Sequence, residues 1–68
     1  MKQNQLETIQ KIADLSYEPD PDTGAYVAEV GSGLLARSYA EQLVARGYAA
    51  GISRGEDMSW HVWVSPRK

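Results

Sequence analysis

Three consecutive elements are predicted within AYVAEVGSGLLARSYAEQLVARGYAAGIS, residues 25–53. Residues 25–30 are rich in the β-branched and aromatic types that favour strands, and a glycine-serine-glycine break follows them. Apolar residues then recur at three- and four-residue spacings over 34–46, which is the pattern of an amphipathic helix. Gly47 stands where a glycine commonly follows a helix, and residues 48–53 are again typical of a strand. We therefore expect strand, helix and strand in succession.

One side of the 34–46 helix is expected to be buried against a sheet. The residues on that side are Leu35, Ala36, Tyr39, Ala40, Leu43 and Val44. Ser32 precedes the first turn, where a hydroxyl can accept a hydrogen bond from a free amide, so we expect it to cap the helix. The Gly31–Gly33 break lacks the lysine and the glycine spacing of nucleotide-binding loops, so it predicts a turn and not a phosphate site.

A second helix is predicted over residues 4–15, where apolar residues recur at helical spacing. Asn4 and Glu7 have the spacing of a capping box at its start. Pro19 and Pro21 cannot continue a helix, so we expect it to end at the last residue of this range. The aspartates around these prolines lack the later ligands of a calcium loop and are typical of a turn.

Two hairpins complete the predicted fold. Residues 15–18 are expected to pair with 25–30, and the polar turn 54–58 is expected to join 48–53 to a last strand over 59–65. Each half of the chain then consists of a helix followed by two strands. We predict a single small α+β domain, with two helices packed on one face of a four-stranded antiparallel sheet in an αββ-αββ pseudo-repeat.

Alternate strand residues are expected to meet the helices and form the core. The residues assigned to it are Tyr17, Tyr26, Ala28, Val30, Tyr48, Ala50, Ile52, Trp60, Val62 and Val64. Because the chain has no phenylalanine, tyrosine and tryptophan must supply the aromatic bulk of this core. Their polar tips are expected at its rim, where water or backbone can satisfy them.

Composition disfavours several classes of partner and site. The 68 residues include no cysteine, which excludes disulfides, thiolate metal clusters and thiol nucleophiles. The net charge of -2 disfavours nucleic acid as the main partner, since backbone binding needs a concentrated positive surface. Residues 1–31 carry two basic and six acidic side chains, whereas residues 32–68 carry five basic and three acidic ones. No apolar run has the length of a membrane span and no signal peptide is recognisable, so we expect a cytoplasmic protein.

No catalytic, metal or cofactor site is predicted. His61 is the only histidine, and a nucleophilic triad would need Ser32, Ser53 or Ser59 beside it. A flat exposed sheet offers neither an enclosed pocket nor donors for an oxyanion, however. We therefore expect a protein that is not an enzyme and that holds no cofactor.

The WHVW segment, residues 60–63, supplies the candidate binding site. If Trp60 points toward the helices, His61 and Trp63 point away from them. A symmetric last hairpin would pair Ser53 with Ser59, Gly51 with His61 and Ala49 with Trp63. The candidate binding residues are Trp63, His61, Val27, Glu29, Gly51 and Arg54. A large ring above small residues suits stacking on a sugar, a base or a partner side chain, although the ring could instead only cover the bare backbone of the strand.

Several of these segments together resemble a SPOR domain, a small repeat that binds the glycan strands of peptidoglycan. The matching residues are Val30, Gly31, Ser32, Ala40, Glu41, Leu43, Gly47, Tyr48, Val62, Val64 and Pro66. Gly33 replaces the aromatic residue that follows the Gly-Ser pair in that family, and Ser65 replaces a glycine of its last strand. The resemblance implies that a glycan would lie on the sheet face that carries His61 and Trp63.

Three functions are thus open. The first is a non-enzymatic protein-binding domain, acting as an adaptor, a homodimer or an inhibitor of a larger complex through the helix-free sheet face. The second is glycan binding of the SPOR kind. The third is binding of single-stranded nucleic acid, with Trp63 and His61 stacking on bases and Arg54 and Arg67 near phosphates. Protein binding is favoured because the sequence lacks catalytic, metal and strongly basic sites, and the homodimer could form through that face or through the sheet edges.

Overall fold

The computed structural model describes residues 5–67. Its elements are α1 (Gln5–Ile12), β1 (Glu18–Pro19), β2 (Tyr26–Val30), α2 (Gly33–Ala45), β3 (Ala49–Arg54) and β4 (Trp60–Ser65). The four strands form one antiparallel sheet in the order β1-β2-β4-β3. The predicted α+β fold with αββ-αββ order is therefore confirmed.

The core lies between the helices and one face of the sheet. Ile9 of α1, Leu43 of α2 and Val62 of β4 are each fully buried. The other members of the same cluster are Ala13, Tyr17, Ala28, Val30, Ala36, Ala40, Tyr48 and Val64. Because both helices contribute to one cluster with alternate strand residues, they cover the same side of the sheet, and no helix within residues 5–67 lies on its other side.

Both ends of α2 follow the prediction to within one residue. Ser32 Oγ accepts a hydrogen bond from the backbone N–H of Leu35 at 3.2 Å, which caps the first turn. After the last turn, the N–H of Gly47 donates to the carbonyl of Val44. Gly47 has a φ of 89°, a left-handed conformation that a residue with a Cβ adopts only at a cost.

The buried side of α2 is narrower than predicted. Leu35, Val44 and Ile52, which the sequence assigned to the core, are 52%, 53% and 39% exposed. The buried residues of α2 are Ala36, Ala40 and Leu43. The sheet ends at β3, so within residues 5–67 no further strand lies beneath Val44 or beside Ile52.

The first helix is shorter than predicted and ends at Ile12. The N–H of Ala13 still donates to the carbonyl of Ile9, but the carbonyl of Ala13 accepts from the Tyr17 hydroxyl at 2.9 Å. The Tyr17 hydroxyl thus takes the place of the backbone N–H that would donate to this carbonyl in a longer helix. Burial also raises the pKa of Tyr17 to about 12. The predicted cap residue Asn4 lies outside the described residues.

The first hairpin is also shorter than predicted. β1 contains only Glu18 and Pro19, which pair with Val27 and Tyr26. Residues 15–17, expected to begin this strand, form no strand. The N–H of the next residue, Asp20, donates to the carbonyl of Ala25, so the missing N–H of Pro19 belongs to the outer edge of the sheet, where proline is tolerated.

The last hairpin is displaced by two residues from its predicted register. Ser53 pairs with His61 and not with Ser59. The turn is tighter than expected, because the N–H of Gly55 donates to the carbonyl of Ser59 at 2.9 Å and closes the hairpin there. A shift of two residues preserves the alternation of side chains, so each side chain keeps its predicted face.

Candidate binding face

The helix-free side of the sheet is centred on Trp63. The cross-strand register places Trp63 between Val27 of β2 and Gly51 of β3, and it places His61 beside Glu29. Five of the predicted binding residues therefore lie together on one surface. We call the surface formed by these five residues the open face.

Arg54 is the predicted binding residue that lies elsewhere. It pairs with Trp60, which directs its side chain toward the helix side of the sheet. Its guanidinium stacks 4.4 Å from the centroid of the Trp60 ring and donates to the carbonyl of Met58 at 2.8 Å. Arg67 stacks in the same way on the ring of Tyr48, at 4.1 Å. Both arginines are thus engaged within the molecule, away from the open face.

Trp63 packs directly against Gly51. A methyl group on Gly51 would lie 2.8 Å from Cζ2 and 2.9 Å from Nε1 of the indole, closer than van der Waals contact. The absence of a side chain on Gly51 is what allows the ring to lie flat against β3. Trp63 therefore covers the strand backbone, and the ring remains partly exposed on its outer side.

A groove of about 620 Å³ lies beside His61 at the β1 end of the open face. Its lining consists of Ser16, Glu18, Pro19, Asp20, Pro21, Val27, Glu29 and His61. Three of these side chains are carboxylates and none is a lysine or arginine. We call this feature the acidic groove.

Glu18 and Asp20 were not predicted as binding residues: the sequence placed Glu18 at the end of the first strand and Asp20 in the turn that follows it. The turn itself is present: Asp20 Oδ1 accepts from the N–H of Asp22 at 2.9 Å. The N–H of Asp20 also donates to the carbonyl of Ala25 at 2.7 Å, which continues the hairpin. Because Asp20 pairs with Ala25, Glu18 lies opposite Val27 and on the same face of the sheet. Extending the predicted hairpin to this pair would have placed Glu18 beside the other binding residues.

The serine beside His61 is held by an aspartate. Ser59 Oγ donates to Asp57 Oδ1 at 2.6 Å and lies 3.5 Å from His61 Nε2. This hydrogen bond, with a second from the Ser59 N–H, lowers the pKa of Asp57 below its usual value. In a nucleophilic triad the histidine lies between serine and acid, whereas here the serine lies between acid and histidine. The arrangement orders the turn and does not activate the hydroxyl.

Within residues 5–67, no group of three or more histidine, cysteine, aspartate or glutamate side chains is placed to hold a metal ion. No helix in the same range is long and apolar enough to cross a membrane.

Comparison of the chain with family models, with curated proteins and with solved structures found no match. The SPOR resemblance therefore stays a prediction from the sequence.

Proposed function

We propose that the protein is a non-enzymatic protein-binding domain, an adaptor or an inhibitor, whose open face holds a basic segment of a partner protein. The observation that carries this proposal is the acidic groove, in which Glu18, Asp20 and Glu29 border the apolar side chain of Val27. The cytoplasmic location expected from the sequence is part of the same proposal.

The apolar content of the open face supports a protein partner. Antiparallel sheets commonly leave one face in water, but the residues on that face are then mostly polar. Here Val27 and Trp63 lie side by side on adjacent strands and are only partly buried. A partner that covers them removes apolar surface from water, which favours association.

The charge of the groove supports a basic partner. Glu18 and Glu29 are exposed and Asp20 is partly so, and the lining contains no lysine or arginine to pair with them. A lysine or arginine from a partner would form charge-assisted hydrogen bonds with these carboxylates. The same charges repel phosphate, which disfavours nucleic acid on this face.

The test is an NMR titration of the ¹⁵N-labelled protein with a short synthetic peptide of arginine and leucine. We expect shift changes centred on Val27, Glu29, His61 and Trp63, and weaker binding as salt is raised. A Glu18→Gln/Glu29→Gln variant should bind about threefold to tenfold more weakly, since each lost charged contact contributes up to about 1 kcal/mol. Glu7→Gln, on the exposed side of α1, is the matched control and should bind like the wild type.

Three other probes separate the alternatives. They are the same peptide with glutamate for arginine, a chito-oligosaccharide and a short oligothymidylate. Equal binding of the acidic peptide, or shifts remote from the open face, would overturn the proposal. Shifts on the open face with the oligosaccharide but not with the basic peptide would establish glycan binding in its place.

A further inference from the structure

The outer edge of β3 lacks the features that usually prevent edge strands from pairing. Natural edges are commonly short or carry proline or charge. β1, at the opposite edge, has two residues, one of them Pro19. β3 has six residues, AAGISR, and Arg54 is the only charged one.

The free hydrogen-bonding groups of this edge belong to alternate residues. The bond from Gly55 N–H to the Ser59 carbonyl closes the hairpin, so Gly55 and every second residue before it turn their amide and carbonyl toward β4. The residues between them, Ala50, Ile52 and Arg54, turn theirs outward. Their side chains lie on the helix side of the sheet, because Ile52 pairs with the buried Val62.

An apolar groove of about 440 Å³ runs along the same edge, between β3 and α2. Its floor and sides are formed by Ala40, Val44, Ala50, Gly51 and Ile52, and its outer rim by Arg37 and Glu41. Val44 and Ile52 are the large apolar side chains exposed along it. A strand added to β3 would therefore gain both backbone hydrogen bonds and apolar contact.

We propose that a second copy of this chain occupies this edge, with its β3 antiparallel to the first and Ile52 on the two-fold axis. In that register Ile52 meets Ile52 of the second copy, and Ala50 lies opposite Arg54 of the second copy. The outward groups of the two strands then pair with one another over the full length of β3. No like charges face each other in the ladder.

The rim of the groove favours a second copy over an unrelated strand. Arg37 and Glu41 are one helical turn apart and form an exposed ion pair at 3.3 Å within one molecule. A two-fold axis reverses the direction of α2, so that Arg37 of one copy faces Glu41 of the other. This surface is therefore complementary to itself in charge as well as in shape. The two open faces would then lie on one continuous sheet.

The test is the molecular mass in solution, measured by sedimentation equilibrium over a range of protein concentrations. We expect a concentration-dependent rise from the 7.5 kDa monomer toward twice that mass. Ile52→Arg places two guanidinium groups at the axis and should weaken the dimer at least about tenfold. Leu34→Arg, at an exposed apolar position of α2 outside the groove, is the control and should leave the dimer intact.

A charge exchange distinguishes self-pairing from other uses of the edge. Arg37→Glu and Glu41→Arg should each weaken the dimer, and the double variant should restore it. Circular dichroism checks that each variant is folded. A wild type that stays monomeric at all concentrations, or a dimer that Ile52→Arg does not weaken, would overturn the proposal and leave the edge to a strand from a different protein.

Discussion

The two αββ units differ most at their outer strands. β1 of the first unit has two residues, whereas β3 of the second has six. The helices differ in the same direction, with eight residues in α1 and thirteen in α2. The inner strands β2 and β4, by contrast, are nearly equal and pair along their length. The two units are therefore alike at the centre of the sheet and differ at its two edges.

The length of each outer strand determines which groups are exposed at that edge of the sheet. β1 ends at Pro19, and residues 18–21 line the acidic groove. β3 continues to Arg54 without an interruption and leaves its outer hydrogen-bonding groups available. The groove of the proposed function therefore lies at the first edge, and the proposed contact between copies at the second.

The largest effect is expected from side chains that join the two units. Ile9→Ala in α1 and Leu43→Ala in α2 each leave a cavity in the core and should destabilise the protein by about 3 kcal/mol. Because both residues belong to one cluster, either change should shift a single unfolding transition. The transition is measured by urea unfolding, monitored both by tryptophan fluorescence and by far-UV circular dichroism. Leu34→Ala, at an exposed position, is the control; separate transitions for the two signals in Ile9→Ala would show instead that the first unit unfolds alone.

The next effect concerns the outer strand of the second unit. Gly51→Ala forces the indole of Trp63 away from β3 and should cost about 2 kcal/mol of stability. In a Trp63→Ala background the same change should be neutral or stabilising, because alanine is the better residue in a strand interior. The measurement is a double-mutant cycle from denaturant unfolding. Equal effects in both backgrounds would contradict the packing of Trp63 on Gly51.

Alkaline pH probes the first unit through Tyr17. Burial raises the pKa of Tyr17 from 10.0 to about 12, so folding favours its protonated form. Its contribution is complete below pH 10 and is lost as the pH rises toward 12, at a cost of about 1 kcal/mol by pH 11. Unfolding at pH 8, 10 and 11 should show this decline. Tyr17→Phe should flatten it, and an unchanged slope in that variant would assign the decline to other groups.

The smallest change in stability is expected at the turn of the last hairpin, which differs from the first turn in the residue at its positive φ. The first turn has a glycine, Gly24, at its positive φ of 76°, whereas the second has Met58 at 68°. Met58→Gly should stabilise the protein by about 0.5 kcal/mol, because relief of the left-handed strain exceeds the entropy that glycine adds to the unfolded chain. Met58→Ala keeps the strain and serves as the control in thermal unfolding. Equal melting temperatures for both variants would contradict strain at this position.

The limits of α2 were predictable because their signals are local. Ser32 and Gly47 each act on groups within four residues along the chain, at a cap and at a left-handed turn. The assignment of Trp63 and His61 to the open face was predictable for a similar reason, since side chains alternate along any strand. The two-residue shift in the register of the last hairpin leaves this assignment unchanged, because it moves no side chain to the other face.

The errors have a different origin. Leu35, Val44 and Ile52 have the periodicity of core residues, but a side chain is buried only where another helix or strand lies against it. The stacking of Arg54 on Trp60 could not be predicted from the sequence either, because it depends on the pairing of these two residues across the last hairpin. Sequence periodicity shows which side of an element is apolar, but not how far the surrounding structure extends.

The order of the elements, the ends of α2 and the strand face of each side chain follow from the sequence alone. These properties depend on interactions over a few residues and on the two-residue period of a strand. The central position of β2 beside β4, and the groove shared by Glu18, Glu29 and His61, follow only from the folded arrangement of the chain. Those properties depend on contacts between segments far apart in the chain, and no local pattern specifies them.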